Sequence, residues 1–412
     1  SGGTLDGDNQ ELTIDGEDGG GIAVDLDGTI SGTDTDITIT TAAATDLDLE
    51  CTGSIRNLTI NHASCAAVLI APVSITGDLT ITAGSLNTHS GDNRALTVTG
   101  NTTLGPASGG ADQATLTCNA SAISLGSGKT DDYGLTVVKG GTFVGNTGVH
   151  TIGSIRMTDY ADAKCTLTSG VTTINGEDSG DNYAINIGGN STFAHGSGTV
   201  TITRASDTRI RNSGAALALN NLIINHASAD IILASNGLTC AGNLTVTAGG
   251  FGTGSDKALT VTGDILIATA GTLTCNSSAL QCRGIDVAGS GTLTAPDGSG
   301  SFTITGAQGG STEGDAFDTE SGTTFTHSSG TITFTGNTQP QIRNRSGESF
   351  NNIIINTTGG TPIVETQRDI VIAGTLTIVE GTFRSYGTAR TITVTGDVSV
   401  EDGGTLGGGS AN

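Results

Sequence analysis

Short phrases in which apolar residues alternate with Thr recur along the whole chain, at intervals of roughly 20 residues, a period typical of repeat architectures. In one stretch, LTINHA, LTITAG, LTVTG and TLTC begin at positions 58, 79, 96 and 115, so the spacing varies only slightly. Alternation with a period of two is typical of a β-strand with one buried face. Gly, Asn, Asp and Ser follow each phrase and supply turns. The chain is therefore predicted to be all-β.

A longer similarity is superimposed on this short period. The phrase NLTINHAS at residues 57–64 returns as NLIINHAS at 221–228 and, in degenerate form, as NNIIINTT at 351–358. Self-similarity of this kind indicates a repeat protein, in which each unit stacks on its neighbours. We infer one continuous rod, rather than independent domains, built from three large repeats at residues 1–160, 161–300 and 301–412.

The first repeat is longer than the second. Asn57 and Asn221 lie farther apart along the chain than Asn221 and Asn352, by roughly 33 residues when equivalent positions of the repeats are matched. This surplus predicts an insertion at about 131–163. Because this segment is rich in larger side chains, we expect it to form a recognition loop on the surface.

Two architectures place short strands at this spacing without helices. One is a parallel β-helix, or β-solenoid, in which each coil hydrogen-bonds to the previous one. The other is a series of tandem β-sandwich domains, which usually need larger core residues and aromatic side chains. Aromatic residues make up only 3% of this chain and Trp is absent. The composition favours a β-solenoid, with about 20 coils of roughly 20 residues each.

In such a coil the repeated phrase has a direct structural interpretation. Leu58 and Ile60 are expected to point inward and Thr59 outward, while Asn61 and His62 end the strand. Asn side chains at a turn can hydrogen-bond to equivalent positions in adjacent coils and form a ladder.

The stretches NLTVTAGGFGTGSDKALTVTGDILI and GTLTIVEGTFRSYGTARTITVTGDVSV resemble the Gly/Thr-rich repeats of β-solenoid surface proteins. Such repeats occur in phage tail fibres, head fibres and tailspikes and in bacterial adhesins. The resemblance covers nearly the whole chain, but it is one of texture and transfers no functional residue. It implies a structural or attachment role outside the cell, on a cell surface or on a virion.

The excess of acidic over basic residues limits the partners that the protein is expected to bind. The chain has 40 Asp and Glu but only 16 Lys and Arg, which gives a formal charge of −24. Phosphate backbones and anionic membranes attract basic surfaces, so neither is an expected partner. No apolar run reaches the ~20 residues of a membrane-spanning helix, so membrane insertion is not expected either.

Cys and His are expected to be structural. The seven Cys include no CxxC pair, and we interpret them as small buried hydrophobic residues. A disulfide between Cys275 and Cys282 is left open. The six His form neither an HExxH motif nor a close pair, so they are expected at solvated turns or strand edges.

Carboxylates beside Gly suggest one candidate metal site. Oxygen-rich turns suit Ca²⁺, although neither an EF-hand loop nor the calcium-binding nonapeptide repeat is present. Solvated acids at turns are the alternative, and no other cofactor is expected. The candidate calcium ligands are Asp15, Glu17, Asp18, Asp25 and Asp27.

Two further hypotheses concern ligands. On the predicted insertion surface, candidate residues for binding glycans or a receptor are Tyr133, Phe143, Met157 and Tyr160. Asp46, Asp48 and Glu50 alternate along one strand, so a pair of them could be spaced for glycan hydrolysis. Sugar-cleaving sites usually also carry aromatic platforms, which are scarce here, so we expect no enzymatic activity.

The sequence thus favours a structural role. The protein is predicted to be a rigid rod that contacts identical subunits in an extracellular filament or a virion fibre. The alternatives are an adhesin that binds surface glycans or a receptor and, less favoured, a tailspike-like enzyme.

Overall fold

The computed structural model describes most of the chain, apart from short gaps that are most frequent near the N-terminus. The described residues are 4–6, 11–16, 22–26, 29–31, 35–41, 47–51, 54–106, 113–178, 180–309, 314–359, 363–387 and 390–408. They fall into two compact units. The first comprises residues 1–204 and 208–215, and the second comprises residues 205–207 and 216–412.

The described part of the first unit consists of short parallel strands joined by turns, without a helix. These strands are β1 (Thr4–Asp6), β2 (Glu11–Ile14), β3 (Ile22–Leu26), β4 (Thr29–Ser31), β5 (Asp36–Ile39), β6 (Leu47–Cys51), β7 (Ser54–Ile55), β8 (Asn57–Leu69), β9 (Val73–Ile75), β10 (Leu79–Asn87), β11 (Leu96–Val98), β12 (Thr102–Leu104), β13 (Ala114–Thr117), β14 (Ile123–Leu125), β15 (Leu135–Val137), β16 (Gly141–Val144), β17 (His150–Ile152), β18 (Ile155–Met157), β19 (Lys164–Thr166), β20 (Val171–Ile174), β21 (Tyr183–Ile187), β22 (Thr192–Ala194), β23 (Thr199–Ile202) and β24 (Thr208–Asn212).

The second unit is built in the same way across its described residues. Its strands are β25 (Leu217–Leu219), β26 (Asn221–Ser235), β27 (Leu238–Cys240), β28 (Leu244–Gly252), β29 (Leu259–Val261), β30 (Ile265–Thr274), β31 (Ala279–Cys282), β32 (Ile285–Val287), β33 (Thr292–Thr294), β34 (Ser301–Ile304), β35 (Asp315–Thr319), β36 (Thr324–Thr326), β37 (Thr331–Phe334), β38 (Gln341–Arg343), β39 (Ser349–Phe350), β40 (Asn352–Asn356), β41 (Ile363–Thr366), β42 (Ile370–Ile372), β43 (Leu376–Ser385), β44 (Ile392–Val394) and β45 (Val398–Gly407).

The strand pairing confirms the predicted β-solenoid. In the first unit, β11, β14, β17, β20 and β23 form one column of parallel strands. A second column runs through β12, β15, β18, β21 and β24, and a third through β13, β16, β19 and β22. Each coil therefore adds one strand to each of three columns. The long strands β8 and β10 bend from the second column into the third, with register shifts at the bend.

The second unit repeats this arrangement. One column contains β25, β27, β29, β31, β34, β37 and β40, and another contains β32, β35, β38 and β41. The long strands β26, β28, β30, β43 and β45 bend at corners, as β8 does. The tandem β-sandwich alternative is wrong, because the described pairings join parallel strands of successive coils.

Inward-facing positions stack like on like. Leu58 pairs with Leu79, and Ile60 pairs with Ile81 in the next coil. All four side chains are buried, while Thr59 between them is partly exposed. The expected orientation of these residues is therefore confirmed. The core consists of such aliphatic stacks, and seven Phe side chains are also completely enclosed: Phe143, Phe251, Phe302, Phe317, Phe334, Phe350 and Phe383.

The number of coils differs slightly from the expectation. The solenoid has about 16 turns rather than about 20. Contacts between adjacent coils join residues 20 apart at Arg56 and Asp36, but 30 apart at Thr88 and Cys118. Many coils therefore carry longer turns between their strands. The division into three large repeats stays a prediction.

The predicted insertion is part of the coils. Residues 131–163 contain the strands β15, β16, β17 and β18, each paired with strands of neighbouring coils. The expectation of a separate surface loop is wrong, because the surplus in the first repeat is close to the length of one of the longer coils. The strand that begins at Asn57 also continues past Asn61 and His62 to Leu69, so those two residues do not end it.

The cysteines whose side chains are described are buried and unpaired. They are Cys65, Cys118, Cys165, Cys240, Cys275 and Cys282. Cys240 stacks between Leu219 and Val261, which confirms its role as a small core residue. The bridge left open between Cys275 and Cys282 is not formed. Burial raises the pKa of the Cys65 thiol to about 11 and that of the Cys165, Cys240 and Cys275 thiols to about 12.

We predict that these six thiols are unreactive in the folded protein, because thiolate formation and reagent access are both suppressed. A Cys51→Ser variant removes the remaining cysteine. Titration of this variant with a thiol-specific disulfide reagent should detect no rapid reaction under native conditions and six thiols in denaturant. Rapid labelling of any of the six under native conditions would contradict the prediction.

Candidate functional site

A line of Asn and Asp side chains follows one corner of the first unit. The Asp78 amide donates to Asn57 Oδ1 at 2.7 Å, and the Asn101 amide donates to Asp78 Oδ1 at 2.7 Å. Asn57 Nδ2 donates to Asp36 Oδ1 at 2.8 Å, and Asn101 Nδ2 donates to Asp132 Oδ2 at 2.9 Å. Each side chain therefore joins its coil to the next one. We call this arrangement the corner ladder.

The equivalent Asn residues of the other two phrases behave in the same way. Asn221 Oδ1 accepts the Asn243 amide at 2.9 Å, and Asn243 Oδ1 accepts the Asp264 amide at 2.9 Å. Asn352 Oδ1 accepts the Thr375 amide at 2.8 Å. The predicted ladder thus exists, but the Asn directly before the apolar residues of the phrase forms it. The repeated phrase therefore determines structure rather than chemistry.

A Gly precedes the ladder residue of the following coil. The Asn or Asp oxygen of one coil can accept the backbone amide of the next coil only where the residue directly before that amide has no side chain. An added Cβ would lie 2.2–2.3 Å from the Asn or Asp Oδ1 below it. This contact explains the recurring TGD, TGN, AGN and AGT sequences. The glycines concerned are Gly77, Gly100, Gly242, Gly263 and Gly374.

We predict that Gly100→Ala destabilises the protein by about 2 kcal/mol, because the new methyl group would lie 2.3 Å from both Asp78 Oδ1 and the Gly77 carbonyl oxygen and must displace them. In the control Gly298→Ala the new Cβ lies 3.5 Å from its nearest neighbour, an ordinary contact. The control should change stability by less than about 0.5 kcal/mol. Denaturant unfolding measures both. Equal stability of the two variants would contradict the role of the ladder.

One core position holds a titratable side chain. His150 is fully buried between Ile123 and Thr172 of the adjacent coils. Its ring meets the Phe143 ring edge-on, with centroids 5.9 Å apart. Neither ring nitrogen has a hydrogen-bond partner among the described residues. Burial lowers the pKa of His150 to about 4, so the ring is neutral at pH 7. His226 is also buried, so the expectation of solvated His is wrong for both residues.

His150 makes the fold sensitive to acid. The unfolded chain binds a proton at the ordinary pKa of 6.5, whereas the folded chain binds it only near pH 4. Stability is therefore lost as pH falls through this window, by about 3 kcal/mol at its lower end. The difference in unfolding free energy between wild type and His150→Leu should change by that amount between pH 7 and pH 4. A difference independent of pH would contradict this prediction.

The candidate calcium ligands are only partly described. Asp15 is exposed at the end of β2, and Asp25 lies on β3 with its side chain undescribed. Glu17, Asp18 and Asp27 lie outside the described residues. Among the described residues, no group of three or more His, Cys, Asp or Glu side chains is placed to hold a metal ion. The calcium site stays a prediction.

A similar sequence, TINGEDSG, occurs at residues 173–180 and is largely described. Its acids contact the protein itself. Glu177 pairs with Arg204 at 3.0 Å, and Asp178 accepts the Tyr183 amide. Because Glu177 and Asp178 have these partners within the protein, we interpret this second copy of the sequence as structural.

The candidate ligand residues do not share a surface. Phe143 is completely buried, and Met157 is 2% exposed in a stack between Val137 and Ile187. The Tyr133 ring is also buried, whereas Tyr160 is exposed. The surface placement is wrong for Phe143 and Met157, because they occupy inward positions of regular strands.

The carboxylates considered for glycan hydrolysis are also only partly described. Asp48 and Glu50 alternate with the buried Leu47 and Leu49 along β6, and both are partly exposed. Asp46 lies outside the described residues. The absence of enzymatic activity stays a prediction.

The last described coil exposes positions that are buried elsewhere. Val398 and Val400 of β45 pair with Leu376 and Ile378, which are completely buried, yet the two valines are 48% and 47% exposed. Leu406 on the same strand is 46% exposed. We call these three side chains the end surface.

Comparison of the chain with protein-family models, curated proteins and solved structures finds no match. None of the described segments is a helix with the length and apolar character needed to cross a bilayer.

Proposed function

We propose that the protein is a structural β-solenoid subunit of an extracellular filament or a virion fibre, acting as a rigid spacer without catalysis. The observation that carries the proposal is the stacking of successive coils over a narrow aliphatic core, because this arrangement adds length without widening the core. The side chains of the end surface continue the inward-facing stacks of the second unit, and among the described residues β45 pairs with β43 alone. An edge strand with exposed apolar side chains favours pairing with another chain.

The first unit has a comparable feature. Leu12 and Ile14 of β2 pair with the buried Ile37 and Ile39, but Leu12 is 36% exposed and Ile14 is partly exposed. A second copy of the chain offers a parallel strand and an apolar surface of the same kind. We therefore propose that identical subunits associate through the end surface and β2. A head-to-tail contact that does not close into a ring extends into a filament.

We predict that the 412-residue chain associates in a concentration-dependent manner and that Val398→Asp with Val400→Asp weakens association at least roughly tenfold. The two carboxylates would be buried without partners in the contact. Val371→Asp is the matched control, because Val371 is 38% exposed between the buried Ile370 and Ile372. Sedimentation velocity across concentrations measures association, and electron microscopy shows whether filaments form.

Two outcomes would contradict self-association through the end surface. One is a wild-type chain that sediments as a monomer at every concentration. The other is equal weakening by Val371→Asp, which would show that added charge alone disrupts the contact.

A further inference from the structure

Basic and aromatic side chains gather on the outer side of the second column in the first unit. This concentration is unusual in a chain with 16 Lys and Arg against 40 Asp and Glu. The residues lie on or next to the strands β15, β18, β21 and β24. We call them the arginine–tyrosine surface: Tyr133, Arg156, Tyr183, Asn186, Arg209 and Arg211.

The register places these side chains in line. Arg156 pairs with Asn186, and Asn186 pairs with Arg211 in the following coil. Equivalent positions of paired parallel strands project from the same side, in steps of roughly 4.8 Å. Tyr183 pairs with Arg209, so a second guanidinium lies on the same strand as Arg211.

The two tyrosine rings support the guanidinium groups. Arg156 lies over the Tyr133 ring at 5.5 Å, and Arg211 lies over the Tyr183 ring at 5.8 Å. Both rings are buried, and Asn186 Nδ2 donates to Tyr133 Oη at 3.0 Å. Stacking on a fixed ring orients a planar guanidinium and restricts its motion. Less conformational freedom is then lost when a ligand binds.

The charges of this surface are available to a ligand. Among the described residues, no Asp or Glu forms an ion pair with Arg156, Arg209 or Arg211. Arg156 and Arg209 are exposed, and Arg211 is partly exposed. In contrast, Arg283 in the second unit is paired with Asp264.

The chemistry favours an anion with planar or tetrahedral oxygens, repeated along a polymer. Guanidinium forks match carboxylate and sulfate groups through paired hydrogen bonds. Nucleic acid carries too dense a negative charge for a protein of charge −24, and a second copy would bring the same charge. A polysaccharide with carboxylate or sulfate groups separated by neutral hydroxyls is repelled less, and its hydroxyls can contact Asn186.

We propose that the arginine–tyrosine surface binds an acidic polysaccharide, with its anionic groups on Arg156 and Arg211. This function goes beyond the proposed structural role and is independent of the end surface. The fibre would then have a binding surface along its side.

The test uses the whole chain with hyaluronan as the carboxylate probe, kappa-carrageenan as the sulfate probe and neutral dextran as the blank, because both acidic polymers separate their anionic groups by neutral sugars. Binding is measured by biolayer interferometry at several salt concentrations. We expect wild type to bind at least one acidic polymer, with affinity falling as salt rises, and not to bind dextran. The preferred acidic polymer identifies the anionic group.

The variants separate this surface from general charge. Arg156→Gln with Arg211→Gln should weaken binding by roughly tenfold or more. Arg156→Lys with Arg211→Lys keeps the charge but loses the fork, so it should weaken binding by a smaller factor. Lys257→Gln with Arg390→Gln removes the same charge elsewhere and should bind like wild type. Circular dichroism confirms that each variant is folded.

Three results would overturn the proposal. The first is a wild type that binds neither acidic polymer at low salt. The second is equal binding by wild type and Arg156→Gln with Arg211→Gln. The third is self-association that Arg156→Gln with Arg211→Gln abolishes in the absence of polysaccharide, which would assign the surface to a second copy. The two polysaccharide-binding readouts do not depend on the end surface, because they can be repeated in the Val398→Asp with Val400→Asp background, whereas self-association is compared in the wild-type background.

Discussion

The fold depends on parallel hydrogen bonding between successive coils in a constant register. Because the described strands pair with parallel strands of neighbouring coils, an inward position meets a similar one in the next coil, as Ile60 meets Ile81. The core therefore needs only a narrow stack of aliphatic side chains, and it does not widen as the chain lengthens. This constraint explains how a chain with 3% aromatic residues and 65 Gly forms a closely packed interior.

Corners require a different solution, because turns leave backbone groups without strand partners. The corner ladder supplies side-chain oxygens for these amides, and a glycine directly before each of the hydrogen-bonded amides makes room for them. The two features are interdependent, since the Asn57 oxygen reaches the Asp78 amide only because residue 77 is Gly. Local sequence and contact between coils thus specify the same geometry.

The sequence predicted the fold class and the orientation of single residues, because period-two alternation survives even in the shortest strands. It predicted Cys240 as a core residue from its alignment with an aliphatic position. The predicted surface placement of Phe143 and Met157 was wrong, because a length difference between repeats does not distinguish a surface loop from an additional coil. The arginine–tyrosine surface was missed for a related reason: Arg156 and Arg211 become neighbours only through a pairing register across three strands.

The constant register also has an evolutionary consequence. Insertion of one residue within a strand would turn every following side chain of that strand to the opposite face. Gain or loss of an entire coil leaves every stack and every corner ladder contact in phase. Such a protein can therefore change its length by duplication of short gene segments, each of which encodes one complete coil, while point insertions are tolerated only in the turns.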